Sequence, residues 1–323
     1  MSGDRGRFVW YELLSTDTAG AATFYRDVLG WSGRDASTAA FAYTILAAGG
    51  EPVCGLMELP LEGRRRGARP RWVGYVAVDD AAAAAERVRS SGGAVYVPPT
   101  DSNIGRISIV ADPQTATLAV VEGLKLTDAR PRRLDEMGCV GWHELFAVDS
   151  GQAQSFYAGI FGWQNAEGEA GMVDGYRLFA VDGQALGGMF NKLPRVPVPF
   201  WLYYFNVGDL DRAMAAVKAG GGQVVHGPAE LADGLSMVRC IDPQGAMFAL
   251  RGPRGAEAGA PTDAAQLGFS AAWGGFASQG RVIAKPNVAK PNVAKPNVAK
   301  PNVAKPNIAK PKAPASPAPK PKR

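Results

Sequence analysis

Hydrophobic and polar residues alternate along Phe8 to Leu14, which is the pattern of a strand with one buried face. The spacing becomes helical from Thr18 to Leu29, and Asp17 stands where a helix N-cap is expected. Two strand-like runs follow, at 41–47 and 53–59. This order of elements predicts a βαβββ unit.

A second unit of the same kind follows directly. It begins with a strand at 72–78 and an alanine-rich helix at 80–91, which Gly92 and Gly93 end. Asp80 is the expected N-cap of that helix. Its remaining strands are predicted near Val95, at 107–110 and at 117–121.

The chain then repeats itself. Residues of the first strand and helix recur 132 places later: Trp10, Glu12, Leu13, Phe24, Tyr25, Gly30 and Trp31 correspond to Trp142, Glu144, Leu145, Phe156, Tyr157, Gly162 and Trp163. The motif DPQ recurs in the same way, at 112–114 and 242–244. We call residues 8–122 the first copy and residues 140–251 the second copy. Together they predict an α+β fold of four βαβββ units.

Charge divides the chain into an acidic body and a basic tail. Residues 281–323 contain nine lysines, two arginines and no acid, so the first 280 residues have a net charge of −6 although the whole chain has +5. The body therefore has no basic footprint for nucleic acid or membrane. Cys54, Cys139 and Cys240 lack the spacing of a disulfide framework or zinc site, and no signal peptide or run of 18 apolar residues occurs. We expect a soluble, cytoplasmic protein.

The sequences FYRDVLGW and FYAGIFGW, with DPQTATLAV and DPQGAMFAL closing each copy, resemble the vicinal oxygen chelate (VOC) superfamily. That superfamily includes glyoxalases, bleomycin resistance proteins and extradiol dioxygenases. The paired W-x-E-L and F-Y-x-x-x-x-G-W motifs are similar to a group of tandem actinobacterial proteins described as glyoxalase-like or "hydroxylase". The resemblance implies two tandem open barrels, each made of two βαβββ units.

Metalloenzymes of this superfamily hold their metal on the first and last strands of each unit, and the resemblance carries those ligand positions onto this chain. Three of the four are apolar in both copies: Trp10, Val73 and Ala119, then Trp142, Leu202 and Ala249. The fourth falls near the pairs Met57-Glu58 and Phe190-Asn191. We therefore predict no metal and no other cofactor.

Strand alternation predicts which side chains face the two cavities. The candidate ligand-binding residues are Trp10, Tyr43, Tyr75, Thr117, Trp142, Tyr176, Tyr204 and Met247. Glu12 and Glu144 are the candidate catalytic residues, because a carboxylate in an apolar pocket has a raised pKa and can act as a general acid or base. The alternative is a structural glutamate that is satisfied by the backbone or by a neighbouring arginine, such as Arg71 or Arg177.

The two histidines fall outside this set. The alternation turns His143 away from the cavity, and the corresponding residue of the first copy is Tyr11. We interpret His143 as structural, and His226, in VVHGP, as a loop histidine with a solvent-facing ring.

Three classes of function are compatible with these residues. The first is a metal-independent protein that binds a small apolar or aromatic molecule. The second is a metal-independent lyase, isomerase or cofactor-assisted hydroxylase in which Glu12 or Glu144 moves a proton. The third is a metal-dependent glyoxalase or dioxygenase, which the missing ligands disfavour. The sequence leaves it open whether the protein is an enzyme.

We predict VOC domains at 1–123 and 140–252, joined by a linker at 124–139 and followed by a Gly/Ala-rich linker at 253–283. The tail at 284–323 repeats AKPNV four times and AKPNI once. A proline every five residues predicts an extended, disordered segment. The basic segment 281–323 resembles linker-histone tails and is interpreted as a non-specific nucleic-acid or polyanion binder, or as a solubilising spacer. Four units complete two barrels, so a monomer or homodimer is expected, and no membrane partner.

Overall fold

The computed structural model describes residues 3–39, 41–65, 67–126, 133–166, 175–231 and 233–255. The repetitive tail and most of the preceding linker lie outside these residues. The first copy contains β1 Phe8–Ser15, α1 Thr18–Leu29, β2 Ser32–Asp35, β3 Tyr43–Ala48, β4 Glu51–Glu58, α2 Leu61–Arg65, β5 Arg71–Ala77, α3 Ala81–Ser90, β6 Ala94–Asp101, β7 Arg106–Ala111 and β8 Thr117–Glu122. The second copy contains β9 Val140–Ala147, α4 Ser150–Phe161, β10 Gln164–Ala166, β11 Arg177–Val181, β12 Gln184–Asn191, β13 Phe200–Asn206, α5 Leu210–Ala219, β14 Gln223–Glu230, β15 Ser236–Ile241 and β16 Met247–Gly252.

Local chemistry accounts for the helix boundaries. The Asp17 and Asp80 side chains accept hydrogen bonds from Gly20 N and Ala83 N, so both predicted N-caps are confirmed. Gly30 ends α1 in the left-handed conformation, with φ of 72°.

Two elements, β2 and α2, were not predicted from the sequence patterns. The four residues of β2 are all exposed, and they pair with β3 through backbone hydrogen bonds. Because none of them is buried, the strand has no alternating hydrophobic pattern that would predict it. The second is α2, a helix of five residues in a segment to which the sequence patterns assigned no element.

Each copy forms one eight-stranded sheet, an open barrel built from its two βαβββ units. The strand order is β2-β3-β4-β1-β5-β8-β7-β6, and the second copy has the corresponding order β10-β11-β12-β9-β13-β16-β15-β14. The first strand of the copy is central, parallel to β4 and antiparallel to β5. This places β1, β5 and β8 side by side, and the candidate site residues of the first copy lie on those strands and on β3.

The residues that repeat between the copies hold the copies together. The Trp31 and Trp163 indoles donate to the carbonyl oxygens of Gly138 and Gly6, at 2.9 and 2.6 Å. In the same reciprocal way, the Tyr25 hydroxyl donates to Asp242 at 3.1 Å and the Tyr157 hydroxyl donates to Asp112 at 3.2 Å. The F-Y-x-x-x-x-G-W and D-P-Q motifs therefore form an interface between the copies, not a ligand site.

The linker between the copies is partly structural where it is described. Leu134 packs against the shared core, and the Leu134 and Glu136 carbonyl oxygens each accept a bond of 2.9 Å from the Asn206 amide. This end of the predicted linker at 124–139 is therefore packed against the core. Among the described residues, no helix has both the length and the apolar character needed to cross a membrane.

Candidate functional site

Glu12 lies at the centre of an apolar cluster on one face of the first sheet. It is only 6% exposed, and its carboxylate oxygens accept hydrogen bonds from the Tyr43 hydroxyl at 2.7 Å and from the Tyr75 hydroxyl at 2.5 Å. The Trp10 indole donates to the Tyr43 hydroxyl at 3.1 Å, which extends the network by one member. Four candidate residues that come from three different strands are thus joined in one hydrogen-bonded chain.

Gly55 of β4 makes room for this network. It lies beside Glu12 in the parallel register, and a Cβ atom at Gly55 would lie 2.0 Å from the Tyr43 hydroxyl oxygen. Gly188 has the corresponding place in the second copy, where a Cβ would lie 2.0 Å from the Tyr176 ring. Each phenol can therefore cross the neighbouring strand only because that strand has a glycine there.

Apolar side chains surround Glu12. The cluster contains Trp10, Tyr43, Ile45, Val73, Tyr75, Ile104, Ala119 and Val121. It lies where the sequence predicts the first cavity, so we call this packed cluster the first pocket. Partly exposed Phe41, Met57, Ile107 and Ile109 pack against it. Burial raises the pKa of Glu12, and the bonds from Tyr75 and Tyr43 oppose the rise only in part. Burial and the nearby Glu12 also raise the pKa of both phenols, so both hydroxyls remain donors.

The second copy repeats the network around Glu144, in an apolar cluster that we call the second pocket. The Tyr176 hydroxyl donates to Glu144 at 3.0 Å, the Trp142 indole donates to Tyr176 at 2.9 Å, and the Tyr204 hydroxyl makes a short bond to the other carboxylate oxygen. Trp142 and Tyr176 are half-buried, unlike their fully buried counterparts in the first copy.

Arg239 distinguishes the two pockets. Its Nη2 forms an ion pair of 2.9 Å with Glu144, and its Nε donates to the Tyr204 hydroxyl at 3.0 Å. The guanidinium also lies 4.9 Å from the centroid of the Phe146 ring. The register places Ile109 at the corresponding position of the first copy, opposite Ala119 as Arg239 is opposite Ala249. Sequence reasoning missed Arg239, although a lone arginine in the apolar run SMVRCI was an available signal.

Neither predicted glutamate partner is observed. Arg71 donates to the carbonyl of its neighbour Arg69 at 3.4 Å, and Arg177 does not join the Glu144 network, where Arg239 stands instead. The alternative of an ion-paired glutamate is thus realised in the second copy, through an arginine that the sequence analysis did not consider.

His143 is a buried member of the interface between the copies. Its Nδ1–H donates to the Leu186 carbonyl at 2.7 Å, because a carbonyl can only accept, and its Nε2 accepts from the Tyr11 hydroxyl at 2.7 Å. Burial lowers the pKa of His143 to about 4, so the ring is neutral near pH 7. Tyr11 and His143 occupy equivalent positions and contact each other, which agrees with the structural interpretation.

The interpretation of His226 as a solvent-facing loop residue is wrong. His226 lies within β14, directly opposite Arg239, and is partly buried. Burial and then the charge of Arg239 lower the pKa of His226 to about 4. The misassignment arose because the following Gly227-Pro228 looked like the end of a strand, whereas β14 continues past two register shifts.

The other two candidates lie at the edges of the pockets. Met247 packs against the second pocket. Thr117 lies two residues before Ala119 at the start of β8, and its hydroxyl donates to the Thr115 carbonyl at 3.4 Å. It does not join the Glu12 network.

The positions equivalent to metal ligands do not offer a metal site. Trp10, Val73 and Ala119 are buried in the first pocket, and Leu202 and Ala249 are buried in the second. At the fourth position, exposed Glu58 pairs with Arg64 at 2.7 Å and Asn191 accepts from Ser150 N at 2.7 Å. Throughout the described ranges, no group of three His, Cys, Asp or Glu side chains is arranged to hold a metal ion. These donors do not fit the metal that the superfamily's enzymes use.

The duplicated βαβββ units and the eight-stranded sheet of each copy define a VOC protein. The chain belongs to the glyoxalase/bleomycin resistance protein/dioxygenase superfamily, whose family model matches residues 7–120 and 140–250.

Its relatives include two kinds of bacterial protein. The putative glyoxylase CFP32 of Mycobacterium tuberculosis is 31% identical over 248 residues, which cover 76% of this chain and 94% of that protein. The anthracycline biosynthesis protein DnrV of Streptomyces peucetius is 29% identical over 263 residues, which cover 76% of this chain and 92% of that protein.

Solved structures share the fold at low sequence identity. The Mn(II)-bound glyoxalase from Novosphingobium aromaticivorans has a TM-score of 0.52 and 16% identity, covering 76% of this chain and 81% of that one. An extradiol ring-cleaving dioxygenase from B. fuscum has a TM-score of 0.54 and 14% identity, covering 77% and 72%. At these identities the likeness concerns the fold alone.

Proposed function

We propose that this protein binds a small, largely apolar or aromatic molecule in its VOC pockets, without a metal. The observation that carries the proposal is the buried Glu12, held by the Tyr43 and Tyr75 hydroxyls inside an apolar cluster. Apolar walls around a few convergent polar groups are the usual composition of a small-molecule site. The polar groups would orient one oxygen or nitrogen of the ligand, and the walls would bind the rest.

The proposal also explains what occupies the positions of the metal ligands. Val73 and Ala119 add apolar surface where a metalloenzyme needs donor atoms. The name of the Streptomyces peucetius relative associates that protein with anthracyclines, which are fused aromatic ring systems. This supports an aromatic ligand for the present chain.

A metal-independent enzyme is the second candidate, and the environment of Glu12 favours it. A carboxyl whose pKa burial has raised is suited to general acid–base catalysis. Glu12 would then be the group that gives or takes the proton, with the phenols holding its orientation. Glu144 is less suited to this role, because Arg239 neutralises its charge.

Fluorescence titration with N-phenyl-1-naphthylamine, a neutral aromatic probe, tests the binding proposal. The blocking variant is Ile109→Trp, because Ile109 is a partly exposed wall residue of the first pocket. The matched control is Val148→Trp, which adds the same bulk at a residue that is 57% exposed. We expect Ile109→Trp to weaken probe binding at least tenfold and Val148→Trp to change it less than twofold.

Two results would contradict the proposal. Equal affinity in wild type and Ile109→Trp would place the probe outside the first pocket. Loss of binding after EDTA treatment, restored by Mn²⁺ or Fe²⁺, would show that the site needs a metal. For the enzyme candidate, Glu12→Gln should abolish turnover of the natural substrate while leaving binding of the neutral probe within twofold of wild type.

We also propose that the basic segment 281–323 binds polyanions. Its eleven positive charges without a single acid support this, because phosphate contacts made by lysine release counterions from nucleic acid.

A further inference from the structure

Arg71 stands at the edge of the first pocket, on the pocket side of the sheet. It is the first residue of β5 and pairs with Leu14, which packs against the first pocket. Side chains alternate along a strand, so Arg71 shares its face with Val73 and Tyr75, whereas Trp72 belongs to the core on the other face. Arg71 is therefore two residues, or about 7 Å along the strand, from Val73, the register partner of Glu12.

The charge of Arg71 has no ion-paired carboxylate among the residues that the structure describes. Its Nη1 donates to the Arg69 carbonyl at 3.4 Å, and in the described part of the chain no carboxylate forms an ion pair with it. It is partly buried; burial lowers the pKa of its guanidinium, and the nearby Tyr96 phenol opposes that shift in part. A cation withdrawn from water is costly unless an anion compensates it. Glu12 does not do so, because its oxygens are bonded to the two phenols.

The second copy has no cation at this position. The register places Phe200 there, opposite Phe146, and the two rings stack with centroids 4.5 Å apart. The second pocket has a different arginine, Arg239, whose guanidinium is already bonded to Glu144 and Tyr204. Among the described residues, an arginine on the pocket side of the sheet without an ion-paired carboxylate is thus a property of the first copy.

We propose that the first pocket takes an apolar or aromatic molecule that carries an anionic oxygen group, such as a carboxylate or sulfonate, which binds Arg71. The planar guanidinium offers paired N–H donors to such a group, and the apolar walls bind the remainder of the molecule. A hydroxyl or carbonyl oxygen at the far end would meet Glu12 and its phenols. This inference rests on the proposed function, because it names the ligand class of the same pocket.

A matched pair of probes tests the inference on the full chain. The compounds 8-anilinonaphthalene-1-sulfonate and N-phenyl-1-naphthylamine share one ring system, and only the first carries an anion. Arg71→Phe copies the residue of the second copy. Arg89→Gln removes the same charge from an exposed residue of α3 and serves as the control. Arg71→Lys keeps the charge but loses the paired donors.

We expect Arg71→Phe to weaken binding of the anionic probe at least tenfold and to change binding of the neutral probe less than twofold. Arg71→Lys should fall between Arg71→Phe and wild type, and Arg89→Gln should match wild type for both probes. The inference is overturned if Arg71→Phe and Arg89→Gln weaken the anionic probe equally, or if Arg71→Phe weakens both probes alike. Failure of wild type to bind the neutral probe would instead contradict the proposed function.

Discussion

The ion pair between Arg239 and Glu144 gives the clearest test of how the second pocket is held together. Their side chains are 6% and 9% exposed, and the guanidinium also bonds to Tyr204. Arg239→Ile, which copies Ile109 of the first copy, leaves Glu144 buried with the phenols alone. Removing one member of a buried ion pair costs roughly 3–5 kcal/mol, because the remaining charge has lost its compensation. The first copy indicates that the fold accepts the arrangement without arginine.

Thermal unfolding followed by circular dichroism measures this cost. About 2–4 °C of melting temperature is lost per kcal/mol in a protein of this size, so Arg239→Ile should melt roughly 6–20 °C below wild type. Arg106→Ile is the matched control, because Arg106 is 45% exposed and lies 3.8 Å from Asp101. A surface substitution of this kind should cost within about 0.5 kcal/mol.

The double variant Glu144→Gln/Arg239→Ile completes the cycle. Once the carboxylate is gone, no uncompensated charge remains, so the double variant should lose about 1–3 kcal/mol less than the sum of the single variants. Strict additivity, or a melting temperature of Arg239→Ile equal to that of Arg106→Ile, would refute the reasoning.

Three further outcomes are expected. The folded-state pKa of Glu12 is raised, so the unfolded chain releases this proton first, and wild-type stability should fall as pH rises from the ordinary glutamate pKa through the raised one. Urea unfolding of Glu12→Gln at several pH values should lack this part of the pH dependence of stability, and an identical pH dependence would contradict the raised pKa. Gly55→Ala forces a Cβ against the Tyr43 hydroxyl and should cost about 1–3 kcal/mol in urea unfolding, whereas Gly33→Ala, with 3.5 Å of clearance to its nearest neighbour, should cost less than half as much. Deletion of residues 281–323 should abolish retention on DNA–cellulose at low salt, and unchanged retention would show that the tail does not bind polyanions.

The order of helices and strands could be predicted from the sequence because it depends on local chemistry and on the repeat. Asp17 and Asp80 mark helix starts because their side chains cap backbone N–H groups, and Gly30 marks a helix end because glycine adopts the left-handed conformation. Alternation along β1 correctly separated Glu12 from Tyr11, since the two faces of a central strand meet very different surroundings.

What the sequence could not supply is contact between elements that are distant along the chain. The phenol partners of Glu12 and Glu144 were among the predicted cavity residues, but the Arg239 partner of Glu144 depends on how β15 lies against the sheet, which the pattern of a single strand does not reveal. Arg239 was missed for that reason, and Arg71 was assigned to the wrong bond although it lies on the correct face. Exposed β2 was invisible because its four residues bury nothing.

The duplication allows the two pockets to differ while the interface between the copies stays reciprocal, whereas a homodimer would have two identical pockets. Trp31 and Trp163, which are identical in the copies, make reciprocal bonds at the interface, so altering either one weakens the same assembly. Two positions on the pocket faces differ between the copies: Ile109 corresponds to Arg239, and Arg71 corresponds to Phe200. In a homodimer every substitution would appear in both pockets at once. In the tandem chain, the charge at the edge of the first pocket and the charge at the centre of the second are set independently.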